Sequence, residues 1–312
     1  MEQAESGWGL DESRTKNMKL LVDASSITEF LKCPESFRRK YVDNKVSAYA
    51  AVAREVGIAL HEAVDCYWKG EEFPAAMSKA LVRLRSVENN VHPNDVMKYT
   101  EATNYLPDLV AFYYDNIGKH YTAKVALSEH QFRIEKPFGI EEVTIIGRLD
   151  RYYDDATLVD LKTASEIAGE DCFRSKAGWR KQYRELMLRD FGLAMYDWVL
   201  PQIGQPAAKA VNLEIIIKPY RGKPCRIEIL EMPEILAYRE RFKQQLEMVL
   251  RDMLAAAKRG GEPWVMSTSA CSGKYGSCDQ LAHCLFGNTP RVQRQYDDRM
   301  EHLEGVSKRV EL

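Results

Sequence analysis

The sequence predicts an α/β fold, a mixed central sheet flanked by helices, on three observations. The hydrophobic period of the 312-residue chain changes from helical to alternating near residue 124. Three strand-like runs, one helical run and two more strand-like runs then give a βββαββ order. The clearest helix of the chain, "PEILAYRERFKQQLEMVLRDMLAAAKRGG", closes that block.

Taken in order, residues 1–20 read as a flexible tail. "SSITEFLKC" follows, with Ser26 and Glu29 spaced as a capping box for a helix carrying Phe30 and Leu31. "REVGIALHEAVDCYW" reads as a second helix, and "NDVMKYTEATNYLPDLVAFYYDNIG" as either one more or two, the second reading parted before Pro107. "KVALSEHQFRIEK", "EVTIIGRLDRYY" and "TLVDLKT" are the first three strands. A helix containing "RELMLRDFGLAMYDWVL" separates them from "AVNLEIIIKPY" and "CRIEILEM". In the last long helix Pro233 suits the first turn and Gly260 and Gly261 the end. Its stripe of Ile235, Tyr238, Phe242, Leu246, Val249 and Met253 reads as core packing. The expected organisation is a single domain over 21–290 and a C-terminal tail over 291–312.

Composition narrows the function. A formal charge of −2 argues against a uniformly basic nucleic-acid coat but leaves room for a local basic channel. No apolar run reaches the roughly 18 residues of a membrane span, and the N-terminus is polar, so the cytoplasm is the expected compartment. Seven cysteines in such a compartment do not read as a disulfide framework. Cys66, Cys172 and Cys225 are scattered and read as structural thiols.

The stretch "GRLDRYYDDATLVDLKTA" at 147–164 places charges beside apolar runs, where desolvation is costly. Side chains at i and i+2 share a strand face, so Asp160 and Lys162 point one way and Val159 and Leu161 the other. A turn centred on Asp155 makes cross-strand partners sum to 310, which puts Asp150 opposite Asp160 with Cβ atoms about 5 Å apart. Facing carboxylates repel unless a cation lies between them or one takes a proton. A divalent metal held by oxygen ligands resolves this, with Lys162 beside it. A solvated salt-bridge hairpin, Asp150 with Arg148 or Arg151 and Asp160 with Lys162, is the alternative.

These residues resemble the signature of the PD-(D/E)XK phosphodiesterase superfamily, with "GRLD" and "VDLK" as its two halves. "REVGIALHEAVD" resembles the first motif of its RecB-like branch. "SITEFLKCPESFRRKY" and "CSGKYGSCDQLAHC" resemble the terminal segments of the iron–sulfur members. The resemblance runs over about residues 25–285. It implies a restriction-endonuclease-like core, with Mg²⁺ or Mn²⁺ bound by His61, Asp150, Asp160 and the carbonyl of Leu161. Lys162 becomes the catalytic lysine, and Tyr196 the tyrosine of a later helical motif. That motif has Gln four residues before Tyr, where this chain has Gly192; Arg184 and Arg189 are the candidate substitutes.

The remaining cysteines follow the spacing C-x237-C-x6-C-x5-C, from Cys33 to Cys271, Cys278 and Cys284. Clustered thiolates in a reducing compartment favour a metal site, and four of them suit tetrahedral zinc or a cubane cluster. The resemblance implies a 4Fe–4S cluster closing the domain by joining Cys33 to 271–284. Zinc, or His283 in place of Cys271, stays open because six residues part the first two C-terminal cysteines where the family commonly has two.

Basic and aromatic residues alternate in "FRSKAGWRKQYRELMLRD". Arg174, Lys176, Arg180, Lys181, Arg184 and Arg189 track phosphates in this reading, and Phe173, Trp179 and Tyr183 offer stacking faces, as along a single-stranded path. The function expected is a metal-dependent DNA nuclease, a single-strand exonuclease in recombination, repair or phage DNA metabolism. It lacks a helicase motif of its own, so a helicase or recombination partner is expected. The alternatives are a structure-specific endonuclease and a non-catalytic DNA-binding scaffold of the same fold.

Overall fold

The structure, a computed structural model, describes residues 19–43, 45–47, 49–117, 120–138, 141–164, 183–188, 191–219, 224–258, 264–267, 269, 271–273, 276–278, 280–286, 296–298 and 310–311. In chain order its elements are β1 (Lys19–Val22), α1 (Ala24–Lys32), α2 (Pro34–Phe37), β2 (Lys45–Ser47), α3 (Val52–Trp68), α4 (Phe73–Arg85) and α5 (Val96–Asn116). Then come β3 (Val125–Phe138), β4 (Glu141–Tyr153), β5 (Thr157–Ala164), α6 (Phe191–Gln202), β6 (Ala210–Ile217), β7 (Arg226–Glu231) and α7 (Pro233–Lys258). Short pieces close the chain: β8 (Ser272–Gly273), β9 (Gly276–Ser277), α8 (Leu281–Phe286), β10 (Tyr296–Asp298) and β11 (Val310–Glu311).

A mixed sheet of order β11-β1-β4-β5-β6-β7, with β3 on the other side of β4, forms the centre. β1 runs parallel to β4 and β5 parallel to β6, while the β3–β4, β4–β5 and β6–β7 pairs are antiparallel. Helices cover both faces. On one, α1, α6 and α7 pack on Leu20, Val143, Ile145, Leu158, Leu213 and Ile215. On the other, α3, α4 and α5 pack on Leu161 and Ile216. The apolar runs of β5 and β6 follow from this arrangement, because a parallel pair buried on both faces has no polar side.

One feature of the sheet positions the site. β1 pairs with β4 over Glu142–Ile145, and β5 pairs with that same edge only at Arg151 and Tyr152. Between the two partners, 146–150 of β4 have no ladder along that edge. The apolar alternation of β4 breaks in the same place: Val143, Ile145 and Leu149 belong to the first core and so does Tyr152. Arg151 instead lies over the rings of Trp68 and Tyr113, in the second helix layer. Its guanidinium is fully buried and pairs with buried Glu214 of β6.

Several expectations need correction. The cap of α1 is Asp23, whose carboxylate accepts from Ser26 N–H at 2.7 Å while Ser26 Oγ accepts from Asp23 N–H at 2.8 Å. Ser26 is thus the third helical residue, and Glu29 turns instead to Ser36 and Lys40. Helix α5 is unbroken through Pro107, since burial of Leu106, Leu109 and Val110 outweighs the hydrogen bond a proline removes. The helix expected around "RELMLRDFGLAMYDWVL" is two pieces, 183–187 and α6, with 189–190 outside the described residues. In the α7 stripe Tyr238 is 49% exposed while the other five are buried, so it does not belong to the core. Gly260 and Gly261 lie outside the described residues.

The two ends of the chain meet. β10 pairs with β2, β11 pairs with β1, and Gln280 Nε2 donates to the Lys45 carbonyl at 3.2 Å. Trp264, buried, stacks on Phe37 at 5.9 Å and meets Phe30 edge-on at 6.4 Å.

Candidate active site and metal centre

The β4–β5 register obeys the expected sum of 310 in its two ladder pairs, Arg151 with Val159 and Tyr152 with Leu158. Extending it places Asp150 opposite Asp160, where the ladder has ended. The opened edge is bridged by a side chain: Leu161 N–H donates to Asp150 Oδ2 at 2.7 Å. Both carboxylates are buried, Asp150 to 8% and Asp160 to 2% exposure, so the solvated salt-bridge hairpin does not describe them. Its expected pairs hold only for Asp160 with Lys162, at 2.8 Å. Arg148 goes to Glu129 and Arg151 to Glu214.

His61, in the middle of α3, reaches the hairpin from the second helix layer. Its Nε2 lies 3.1 Å from the Leu161 carbonyl, and its Nδ1 lies 2.9 Å from Glu129 Oε1 and 3.5 Å from Asp150 Oδ1. His61, Glu129 and Asp150 each offer one ligand atom, and these atoms lie within 4.8 Å of one another. The structure therefore brings together His61, Asp150, Asp160, Lys162 and the Leu161 carbonyl. It adds Glu129, which sequence reasoning missed. The missing signal was the β3–β4 register. Phe138 pairs with Glu141, a two-residue connection containing Gly139, so partners sum to 279, and Asp150 faces Glu129. Glu129 also has φ of +44°, a left-handed conformation that side chains avoid.

Burial and mutual repulsion set the electrostatics. Burial pushes the Asp160 carboxyl up to about 6; the Lys162 ammonium opposes the rise and Asp150 adds to it. Burial opposes the charge on Lys162, but Asp160 and Asp150 outweigh it and hold the ammonium above its ordinary range. Burial likewise opposes protonation of His61, and Asp150 and Glu129 reverse the sign and raise it. Two buried carboxylate oxygens, Glu129 Oε2 and Asp160 Oδ2, sit at ion-pair distance from cations without an aligned hydrogen-bond donor. These anionic oxygens beside an imidazole and a carbonyl fit a divalent cation of the Mg²⁺ or Mn²⁺ type.

On the other helix layer, Asp160 and Lys162 line a small cavity of about 80 Å³ with Ala24, Ser25, Met187, Gly192, Leu193 and Tyr196. Tyr196 is thus beside Lys162, and it meets Phe132 edge-on at 6.3 Å. Phe132 in turn covers Gly147: a Cβ there would lie 2.4 Å from its ring. The glycine of "GRLD" is a packing requirement.

Of the expected DNA-binding residues, Arg174, Lys176, Trp179, Arg180 and Lys181 lie outside the described residues, as do Phe173 and Arg189. Arg184 is described and sits 3.4 Å from Glu234 at the start of α7. Cys33, Cys271, Cys278 and Cys284 gather where the chain ends meet. Ser267 N–H donates to Cys33 Sγ at 3.5 Å, Cys271 Sγ donates to the Ser267 carbonyl at 3.8 Å, and Cys278 N–H donates to the Cys271 carbonyl at 3.0 Å. Burial raises the Cys284 thiol, with Arg39 opposing and Glu35, Cys278 and Cys33 adding. Cys66 and Cys225 are buried away from this group, and Cys172 lies outside the described residues. His283 is part of α8, but its side chain is outside the description.

A mixed sheet between helix layers carries an acid-and-lysine hairpin at a split in the sheet. The family model for the PD-(D/E)XK nuclease superfamily matches residues 23–284, and the chain belongs to that superfamily. Among solved structures, a protein from Eubacterium rectale named as a candidate exonuclease aligns over 93% of this chain and 94% of its own, at 13% identity and a TM-score of 0.48. The protein SSO0001 aligns over 72% and 76%, at 12% identity and a TM-score of 0.30. No curated protein matches the sequence. Among the described residues, no helix is long and apolar enough to cross a membrane.

Proposed function

We propose that this chain is a Mg²⁺- or Mn²⁺-dependent deoxyribonuclease of the RecB-like branch, an exonuclease on single-stranded DNA ends. The observation that carries the reading is the convergence of His61, Glu129 and Asp150 beside the Asp160–Lys162 pair. In it, His61, Asp150, Asp160 and the Leu161 carbonyl hold the cation, with Glu129 as a further candidate ligand. Bound there, a divalent cation polarises a phosphoryl oxygen and lowers the pKa of a water.

The chain's own residues supply the rest. Lys162 keeps 37% of its side-chain surface open while its ammonium pairs with Asp160, so it can neutralise charge developing on the phosphate. Asp160 fixes that ammonium at 2.8 Å, and Tyr196 lines the same cavity. Asp150 is tied to the backbone of β5, which locks the two strands at the separation the site needs. Support for a single-stranded substrate is the basic and aromatic segment at 173–189, in sequence just after Lys162. A cytoplasmic setting and a role in recombination, repair or phage DNA metabolism with a helicase partner complete the reading.

We read the four thiols as holders of a metal group on their C-x237-C-x6-C-x5-C spacing, supported by the contacts that Ser267 makes with both Cys33 and Cys271. In our reading that group is a 4Fe–4S cluster at Cys33, Cys271, Cys278 and Cys284, which would join the ends of one domain. The test is anaerobically purified protein with Mg²⁺ or Mn²⁺ on end-labelled linear and on circular single-stranded DNA, beside metal analysis. Loss of linear DNA alone is expected. Cleavage of circles would make it an endonuclease, and no metal-dependent cleavage would overturn the enzyme reading. Stoichiometric zinc without visible absorption would replace the cluster by a zinc site.

A further inference from the structure

We infer that Arg148 is a substrate-phosphate clamp, held by Glu129 in the metal-free site and released to DNA when a divalent cation takes up Glu129. The inference rests on the nuclease reading and deepens it. Glu129 is divided between two partners. Its Oε1 is 2.9 Å from His61 Nδ1, and its Oε2 is 2.7 Å from Arg148 Nε. The first contact belongs to the metal-ligand group; the second faces outward, because Arg148 is 44% exposed whereas Glu129 is 9% exposed.

Three features make this contact a latch. The Arg148 approach lacks hydrogen-bond alignment, since Glu129 Oε2 remains without an aligned donor although it is buried. A bidentate guanidinium–carboxylate pair would be the strong arrangement, and this is not one. The Glu129 backbone at φ +44° is strained, which persists only where the surroundings impose it and marks functional positions. Finally, Arg148 stands in an acidic neighbourhood. Glu62, on the same helix as His61, lies within electrostatic reach of Arg148, Arg83 and Glu129. A cation accepted by Glu129 removes the charge that holds Arg148 inward. The planar, permanently charged guanidinium is then free for a phosphate, which it matches better than an ammonium does.

The experiment measures binding of a short fluorescein-labelled single-stranded oligodeoxynucleotide by anisotropy, with Ca²⁺ or with EDTA, the probe being checked on a gel for integrity. Wild type is compared with Arg148→Gln and Arg148→Lys, and Mn²⁺ affinity is measured separately without DNA. With Ca²⁺, Arg148→Gln should bind about tenfold more weakly and lose roughly 0.7 to 1 from the log–log salt slope. With EDTA the two proteins should bind alike. Arg148→Lys should fall between them. Without DNA, Arg148→Gln should bind Mn²⁺ a few-fold more tightly than wild type, which an arginine unconnected to the metal site would not give. Equal Ca²⁺-dependent DNA binding by Arg148→Gln, or Mn²⁺ binding no tighter than in wild type, overturns the clamp. If wild type cleaves DNA while the clamp fails, the nuclease reading stands. If wild type shows no metal-dependent cleavage, both fall.

Discussion

The hairpin site and the cysteine seam each bring chemically reactive side chains together, and they are built on opposite principles. In the hairpin, Asp150, Asp160 and Lys162 come from two adjacent strands, and tight contacts hold them: Leu161 N–H on Asp150, Lys162 on Asp160, His61 on Glu129. Charges buried this deeply need partners whether or not a metal is present. In the seam, Cys33 and cysteines more than two hundred residues away touch intervening serines: Ser267 contacts both Cys33 and Cys271, and Ser36 contacts Cys278, at 3.5 to 4.0 Å. Neutral thiols tolerate burial without strong partners. The seam is held instead by Trp264, whose N–H donates to Glu35 Oε2 at 3.2 Å and whose ring stacks on Phe37. One region is ordered by its charges, the other around them.

That contrast can be broken at either end. The largest effect is expected from Asp150→Ala and Lys162→Ala, each lowering the cleavage rate by about 10³-fold. Melting curves should change far less than the rates. Wild-type rates with saturating metal would remove the hairpin from the chemistry. Cys33→Ala should show the reverse pattern: loss of the bound group, a melting temperature lower by roughly 5 °C or more, and protease sensitivity of the C-terminal segment. Unchanged stability and metal content would leave the seam without a metal role.

Acid sharpens the comparison further. The folded pKa of Asp160, about 6, lies above its ordinary value of 3.8. In metal-free protein the folded state therefore holds that proton more tightly, and this carboxyl makes the fold less stable as pH rises from about 4 to about 6. Metal binding runs the other way. It needs the ionised carboxylate and a neutral His61, so affinity should weaken by up to about tenfold per proton displaced for each pH unit below 6. Melting curves across pH with EDTA and with Mn²⁺ should show these opposite slopes; parallel curves would remove Asp160 from the metal centre. The smallest effect is expected for Gly147→Ala. Its Cβ would press on Phe132, for a cost of about 1–3 kcal/mol, seen as a melting shift of a few degrees and a reduced rate through Tyr196.

Much of the fold was legible because the strands and the last helix carry clear periods. Asp150 and Asp160 were legible as facing residues because the turn at Asp155 fixes one sum. Glu129 was not, since it sits among polar residues of β3 and only the second register exposes it. Helix α4 was missed because its buried face is Ala76, Ala80 and Leu84, mostly small residues that leave little hydrophobic contrast. β1 was missed because its four residues gain their stability from β4 rather than from any pattern of their own. The path proposed for DNA remains a reading of the sequence, Arg184 being described only in its pairing with Glu234.

The turn between β4 and β5 has a consequence for how this chain can vary. Its length determines which side of β5 each residue occupies, so one inserted residue would exchange Asp160 and Lys162 for Val159 and Leu161 as the groups facing the split. Two inserted residues would keep the side but slide the lysine about 6.6 Å along the strand, out of reach of its partners. Length variation is therefore closed to this loop in a way that point substitution at Asp154 or Asp155 is not. A collection of random insertions selected for cleavage should return the loop at a single size.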